Sequence, residues 1–266
     1  MSVLYFPQLS SGAVSQFPVA RSATARTVTN QLMDGSAIRM PDTGLRKVQW
    51  HLRYAGLTDT ERSSIESLFQ AVEGQLGTFT FLDPTDNLLR WSEDLTQAVW
   101  TPDPLLLVVS GKPDPFGGSS AMLLTNTAQT SQGIVQHTSA PGSYVYAFSV
   151  YARSDLATTI QLVAETTTYT LSAAISLGGS WSRKTITWRI PTGWDSVSFG
   201  IQAAAGVQFD LFGAQVEAQP EAGLYKKTTD RGAVYPNTRF SADSLAFTAT
   251  APNQNSCDVE LISYTS

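Results

Sequence analysis

Chemistry-bearing residues are scarce in this chain of 266 residues: one cysteine, two histidines, and charge at only 15% of positions. The lone thiol, Cys257, excludes an intrachain disulfide and fits manufacture in a reducing cytosol. With His51 and His137 as the only imidazoles, a Cys/His metal cluster is excluded. Basic residues are outnumbered 17 to 22 and form no run, so nucleic acid is not an expected partner. Phosphate neutralisation needs concentrated Lys and Arg. The longest apolar run, Leu105-Leu-Leu-Val-Val109, is far below the roughly 20 residues that cross a bilayer, so no membrane insertion is expected. Met1-Ser-Val-Leu-Tyr-Phe-Pro7 has no basic stretch leading into a long apolar one, so no secretory signal is expected there. The G-x-S-x-G, H-E-x-x-H, Walker and G-x-G-x-x-G motifs are also missing, and the expectation is a protein that is not an enzyme.

What the chain does have is strand and turn chemistry, with abundant Gly, Ser and Thr. Val48, Trp50, Leu52 and Tyr54 alternate with Lys47, Gln49, His51 and Arg53, as in a half-buried antiparallel strand. Ala25–Met33 and Ser36–Met40 read as strands around the hairpin dipeptide Asp34-Gly35. One short helix follows. Thr58 is its N-cap, Glu61 closes a capping box, and Ile65, Leu68, Phe69 and Val72 share one face. Gly74 supplies the positive-φ stop, and Phe79-Thr-Phe-Leu82 is a strand ended by Asp83-Pro84.

Residues 1–86 therefore lack the strands to close a sandwich. Ser244–Ala249 and Asp258–Tyr264 read as strands joined by the turn Pro252–Ser256. The 37 residues from Asp230 onward fall below the ~40 that fold alone without staples. Completing the N-terminal sheet is the economical solution. The predicted fold is mainly β: a discontinuous β-sandwich with one short α-helix (1–86 and 230–266) and an inserted jelly-roll β-sandwich (87–229). Eight strands are expected in the insertion: Leu105–Val109, Ser120–Thr125, Ser143–Tyr151, Thr158–Ala164, Tyr169–Leu177, Ser182–Arg189, Ser196–Ala203 and Val207–Glu217.

Two carboxylate sets in the insertion, Glu93/Asp94 and Asp210/Glu217, are the candidates for sugar cleavage, which needs a pair about 5–10 Å apart. Asp210 is expected to face outward without an identifiable partner. Five of the six tryptophans lie in this region: Trp91, Trp100, Trp181, Trp188 and Trp194. Such rings either pack in the core or stack on sugars. Trp188 is expected to be buried, and Trp91 with Trp100 to close one end of the sandwich. Trp181 and Trp194, beside glycines, are the candidate glycan contacts, together with Tyr144. No loop has dense Asp/Asn spacing, and a structural Ca²⁺ in the jelly roll stays open.

Phe6-Pro-Gln-Leu-Ser10, Trp50-His-Leu-Arg-Tyr54, Leu68-Phe-Gln-Ala-Val-Glu-Gly74 and Phe79-Thr-Phe-Leu-Asp-Pro84 occur in an order that resembles phage distal tail and minor tail proteins. The segment from Arg239-Phe-Ser-Ala-Asp243 to Tyr264 resembles the strands closing that domain. The signature comprises Trp50, Leu68, Phe69, Gly74, Phe79, Phe81, Asp83 and Pro84. Asn87–Leu95 with Trp100, Tyr146–Arg153, and Phe212–Glu217 with Tyr225 are similar to carbohydrate-binding-module-like jelly rolls of virion proteins. The resemblance implies a virion protein made in the host bacterial cytoplasm. It would form a hexameric ring at the distal tail, between tail tube protein and hub or tip proteins, with a peripheral jelly roll able to meet host polysaccharide. A receptor-binding or baseplate accessory protein is the alternative reading, and a polysaccharide-active enzyme a third.

Overall fold

The computed structural model describes residues 3–264, the side chains of 43–45 excepted. In chain order the elements begin β1 (Ala20–Gln31), β2 (Ala37–Leu57), α1 (Asp59–Ala71) and β3 (Phe79–Leu82). There follow β4 (Trp100–Pro102), β5 (Leu106–Lys112), β6 (Ala121–Asn126), β7 (Gln132–Thr138), β8 (Val145–Arg153) and β9 (Thr158–Glu165). The next are β10 (Thr170–Leu177), β11 (Ser182–Arg189), β12 (Val197–Ala203) and β13 (Gln208–Glu217). β14 (Val234–Phe240), β15 (Thr248–Ala251) and β16 (Gln254–Tyr264) complete the chain. The protein is mainly β, as its composition and alternation require.

Two compact units result. One comprises Met1–Ser10, Val14–Phe81 and Tyr235–Ser266; the other comprises Ser11–Ala13 and Leu82–Val234. The expected insertion, 87–229, begins and ends five residues inside the bounds of the second unit. Ser11–Ala13 had no sequence signal that would assign it there.

The first unit is a six-stranded sheet in the order β1-β2-β16-β14-β3, with β15 paired to β16. Its centre follows from alternation: Trp50, Leu52 and Tyr54 of β2 lie in register with Leu261, Val259 and Cys257 of β16, and all six are buried. Trp50 meets Phe81 edge-on at 4.9 Å, while Phe6 and Phe240 both contact Phe79. The α1 helix adds Ile65, Leu68 and Val72 to the core, with Phe69 against Phe240 at 5.0 Å. Its capping box forms as expected, the Thr58 side chain accepting from Glu61 N–H and the Glu61 carboxylate from Thr58 N–H. The helix stop is shared rather than Gly74's alone: Glu73 (φ 53°) and Gly74 (φ 63°) are both left-handed. Gly74 N–H returns to Phe69 O and Glu73 N–H to Gln70 O, which satisfies the last carbonyls. Gly74 is further required by space, since a Cβ there would lie 2.8 Å from Asp243 Oδ1.

The expected strand Ser244–Ala249 shrinks to Thr248–Ala251. Upstream, Asp243 is drawn to the helix end, where its carboxylate accepts from Gln75 N–H. β14 was not read as a strand, because Val234-Tyr-Pro-Asn-Thr238 combines a proline with poor alternation.

The second unit is a sandwich of two five-stranded sheets, β10-β9-β12-β7-β4 and β11-β8-β13-β6-β5. Phe199 of β12 packs on Tyr146 and Phe148 of β8, at 5.3 and 6.1 Å, joining the two layers. All eight expected strands are present, Ser182–Arg189 with the expected bounds and the others with each end within three residues of its expected place. Two more, β4 and β7, were missed. His137 lies in β7, just before the turn that follows it. β7 escaped notice because its inward set, Ile134, Gln136 and Thr138, is two-thirds polar.

Candidate functional site

The three candidate glycan contacts do not converge. Trp181 and Trp194 flank the eight-residue strand β11, which at about 3.3 Å per residue holds their ends roughly 26 Å apart. One face of the half-buried Trp181 is covered by the Arg153 guanidinium, 4.9 Å from the ring centroid. Arg153 is itself fixed by Asp210 at 2.9 Å, so Asp210 is not unpartnered as expected. Tyr144 and the half-buried Trp194 occupy adjoining loops, linked through Gly142 N–H to Trp194 O at 2.6 Å. Tyr144 is only 8% exposed, with its ring against Tyr146, and has no open face of the size stacking needs. Trp188, expected in the core, is half-buried on the edge strand β11.

Trp91 stands elsewhere. It is half-buried and held at φ 51°, a conformation unusual for a bulky side chain and characteristic of constrained sites. Its backbone is over-determined: Trp91 N–H donates to Thr229 O, while its carbonyl accepts from Asp94 N–H and from the buried Trp100 indole. Around it opens a recess of about 450 Å³, walled by Glu93, Asp94, Thr96, Met122 and Thr228–Thr229 with Lys227, and by Ser110, Gly111, Ser119 and Ser120. Its size falls in the range of small-ligand sites.

The polar groups form a chain. Thr228 N–H donates to Ser92 Oγ, which lies 2.9 Å from the Tyr225 hydroxyl. Tyr225 donates to Glu93 Oε1 at 3.0 Å, and Lys227 Nζ bonds Glu93 Oε2. Burial first, and then the Glu93 charge, raise the Tyr225 pKa, so the phenol stays a neutral donor. Burial pushes the Asp94 carboxyl up, but donation from Thr96 and Gln97 outweighs it and lowers its pKa. Beside the recess, the Asp114 carboxylate gathers the amides of Phe116, Gly118 and Ser120. That turn presents Phe116, 65% exposed, with its ring parallel to Tyr225 at 6.4 Å. Gly213 (φ 65°) permits the packing of Tyr225, because a Cβ there would lie 2.8 Å from its ring.

From the sequence Glu93/Asp94 are expected as a carboxylate pair and Trp91 as an end-closing ring, and no local pattern joins them. The partners of Glu93, Tyr225 and Lys227, lie more than 130 residues away; Tyr225 stands out only through the jelly-roll resemblance, and nothing in the sequence marks Lys227. Glu217, the remaining carboxylate candidate, is fully buried and accepts from Gln215, Gln219 and Gly223 N–H. It braces the segment that follows β13.

On the outward side of the sheet β10-β9-β12-β7-β4, the central row is Thr101, Val135, Gly200, Val163 and Ser172, and offers no aromatic ring. His51 pairs with Asp258 at 3.3 Å, and His137 is exposed beside Ser198. Trp50, Leu68, Phe79, Phe81, Asp83 and Pro84 are all buried. Asp83 accepts from Thr85 N–H and Oγ, fixing the turn after β3. Among the described residues no group of three or more His, Cys, Asp or Glu is placed to hold a metal ion, and no helix is long and apolar enough to cross a membrane.

No protein-family model matches the chain, and no curated protein matches it. Solved structures with similar folds include the enzymatically active domain of bacteriophage CBA120 tailspike protein 4. Identity is 13% over 52% of this chain, which spans only 22% of that one, with a TM-score of 0.40. The CBM22-1 xylan-binding domain of Paenibacillus barcinonensis Xyn10C is 16% identical, covering 52% of this chain and 97% of its own, at TM-score 0.41. TmCBM61, solved with β-1,4-galactotriose, is 15% identical over 49% of this chain and 97% of its own, at 0.37. Likeness at these scores does not extend to function.

Proposed function

We propose that this chain is a structural protein of a phage-type tail whose second unit binds host-surface glycans through the Trp91 recess. The glycan reading is carried by that recess. It joins a part-exposed indole, held in a strained backbone conformation, to hydroxyls and carboxylates already oriented by hydrogen bonds. Such preorganisation lowers the ordering cost of binding. Phe116, stacked on Tyr225, adds an exposed ring on the turn that leads into Ser119 and Ser120 of the recess wall. Titration calorimetry of the intact protein against a panel of bacterial polysaccharide fragments tests it. Trp91→Ala should weaken any binding by about tenfold or more, roughly the 1.4 kcal/mol expected of one stacking ring. Unchanged affinity in that variant would remove the recess from consideration.

Self-assembly into a hexameric ring, with tail tube and tip proteins as neighbours, is the reading implied by the sequence resemblance. It is supported by the first unit's β1–β2 arm. Every position of β1 except the half-buried Val28 is exposed, and beyond Arg26/Asp42 the arm pairs, among the described residues, only its own two strands. Two-stranded hairpins are marginal in water by themselves, so such an arm calls for a neighbour. Light scattering of the intact chain should report an oligomer, and replacing residues 26–42 by a tight turn should dissociate it. Monomers of the intact chain at all concentrations would overturn self-assembly.

Binding is favoured over cleavage. Glycoside hydrolysis needs a second carboxyl beside Asp94 that is free to give a proton to the glycosidic oxygen, whereas both oxygens of Glu93 are taken up by the Tyr225 hydroxyl and the Lys227 ammonium.

A further inference from the structure

We infer that the recess prefers sugars bearing a protonated amine and rejects those bearing carboxylate or phosphate, a specificity that rests on the glycan reading above. Three ionisable side chains line it: Glu93, Asp94 and Lys227. Lys227 is committed, its ammonium bonded to Glu93, with the negative Asp114 also within electrostatic reach. Glu93 is engaged on its other oxygen by the Tyr225 hydroxyl. The pair cancels, and Asp94 is left as the uncompensated charge. Asp94 Oδ1 is filled by Thr96 N–H and Oγ, while Oδ2 accepts only from Gln97, leaving a lone pair for a ligand donor.

A carboxylate beside a tryptophan is what an ammonium group seeks. The carboxylate supplies a charge-assisted hydrogen bond, and the indole face, the most favourable of the aromatic faces, supplies a cation–π contact. An anionic sugar would meet two carboxylates and, among the described residues lining the recess, no free cation. Lys227 could serve it only by abandoning Glu93, which would leave that carboxylate unpaired. The expected ligand class is therefore a glucosamine-type polysaccharide with free amino groups.

The test is calorimetry of the intact protein with three tetrasaccharides: glucosamine, N-acetylglucosamine and galacturonate. At pH 6 the glucosamine tetramer should bind about tenfold more tightly than its acetylated counterpart, and galacturonate should show no heat of binding. The preference should fall with added salt. Asp94→Asn should abolish it, so that the glucosamine and N-acetylglucosamine tetramers bind alike. Lys227→Ala, which truncates a side chain 58% exposed, should instead increase it by freeing Glu93. Equal binding of amine and amide, galacturonate binding as tight as either, or a weakened preference in Lys227→Ala would each overturn the inference alone. Binding of none of the three by folded protein would overturn the inference and count against the glycan reading itself.

Discussion

The two units of this protein put their informative residues to opposite uses. In the first, the recognisable side chains are spent on the core: Trp50, Phe79 and Phe81 are at most 2% exposed, and the helix is closed at both ends by its own caps. In the second, ordinary strands leave a Trp91 backbone under strain, an exposed Phe116 and a network of hydrogen-bonded carboxylates. A signature can identify a scaffold while saying nothing about chemistry. A site can also be assembled from segments that individually look like loops.

The largest expected effect breaks the first unit and spares the second. Trp50→Ala removes a fully buried ring from the centre of the six-stranded sheet and should cost about 3–5 kcal/mol. Monitored by denaturant unfolding, it should advance one transition while the fluorescence change of the second unit's tryptophans keeps its midpoint. A common shift of both would show that the units do not unfold separately. Gly213→Ala reverses the experiment. A left-handed alanine whose Cβ meets the Tyr225 ring should destabilise the second unit by about 2 kcal/mol. It should also weaken ligand binding, since Tyr225 holds Glu93.

The smallest effect is electrostatic and belongs to the helix cap. Partial burial pushes the Glu61 carboxyl up, but donation from Ser10 and Thr58 outweighs it, and its pKa falls to about 2. A carboxyl depressed on folding contributes stability above its unfolded pKa, near 4.5, and loses it as pH falls toward 2. Because the group is only partly buried, solvent screening keeps the contribution small. Glu61→Gln should flatten the stability profile of the first unit between those limits and leave the second unit unchanged. An undiminished acid dependence would exclude Glu61 as its source.

Legibility in the sequence followed the range of the interactions. The capping box, the Asp34-Gly35 hairpin and the alternation of Val48 to Tyr54 act within a few residues, and each is found where its pattern placed it. Strands with mixed faces, such as β7 and β14, were invisible because their pairing partners decide them. Trp181, Trp194 and Tyr144 were singled out by composition. Folding gave two of them partial cover and buried the third, because neighbouring loops and Arg153 compete for the same ring faces.

Local propensity and periodicity were sufficient for a mainly β chain with one capped helix and for the alternating core of β2, Val48 to Tyr54. Only the tertiary structure assembled Trp91, Glu93, Asp94, Tyr225 and Lys227 around one recess and set which charges cancel there. Burial and hydrogen bonding to a distant partner depend on where the chain returns in space, and no short-range pattern of side chains encodes that return.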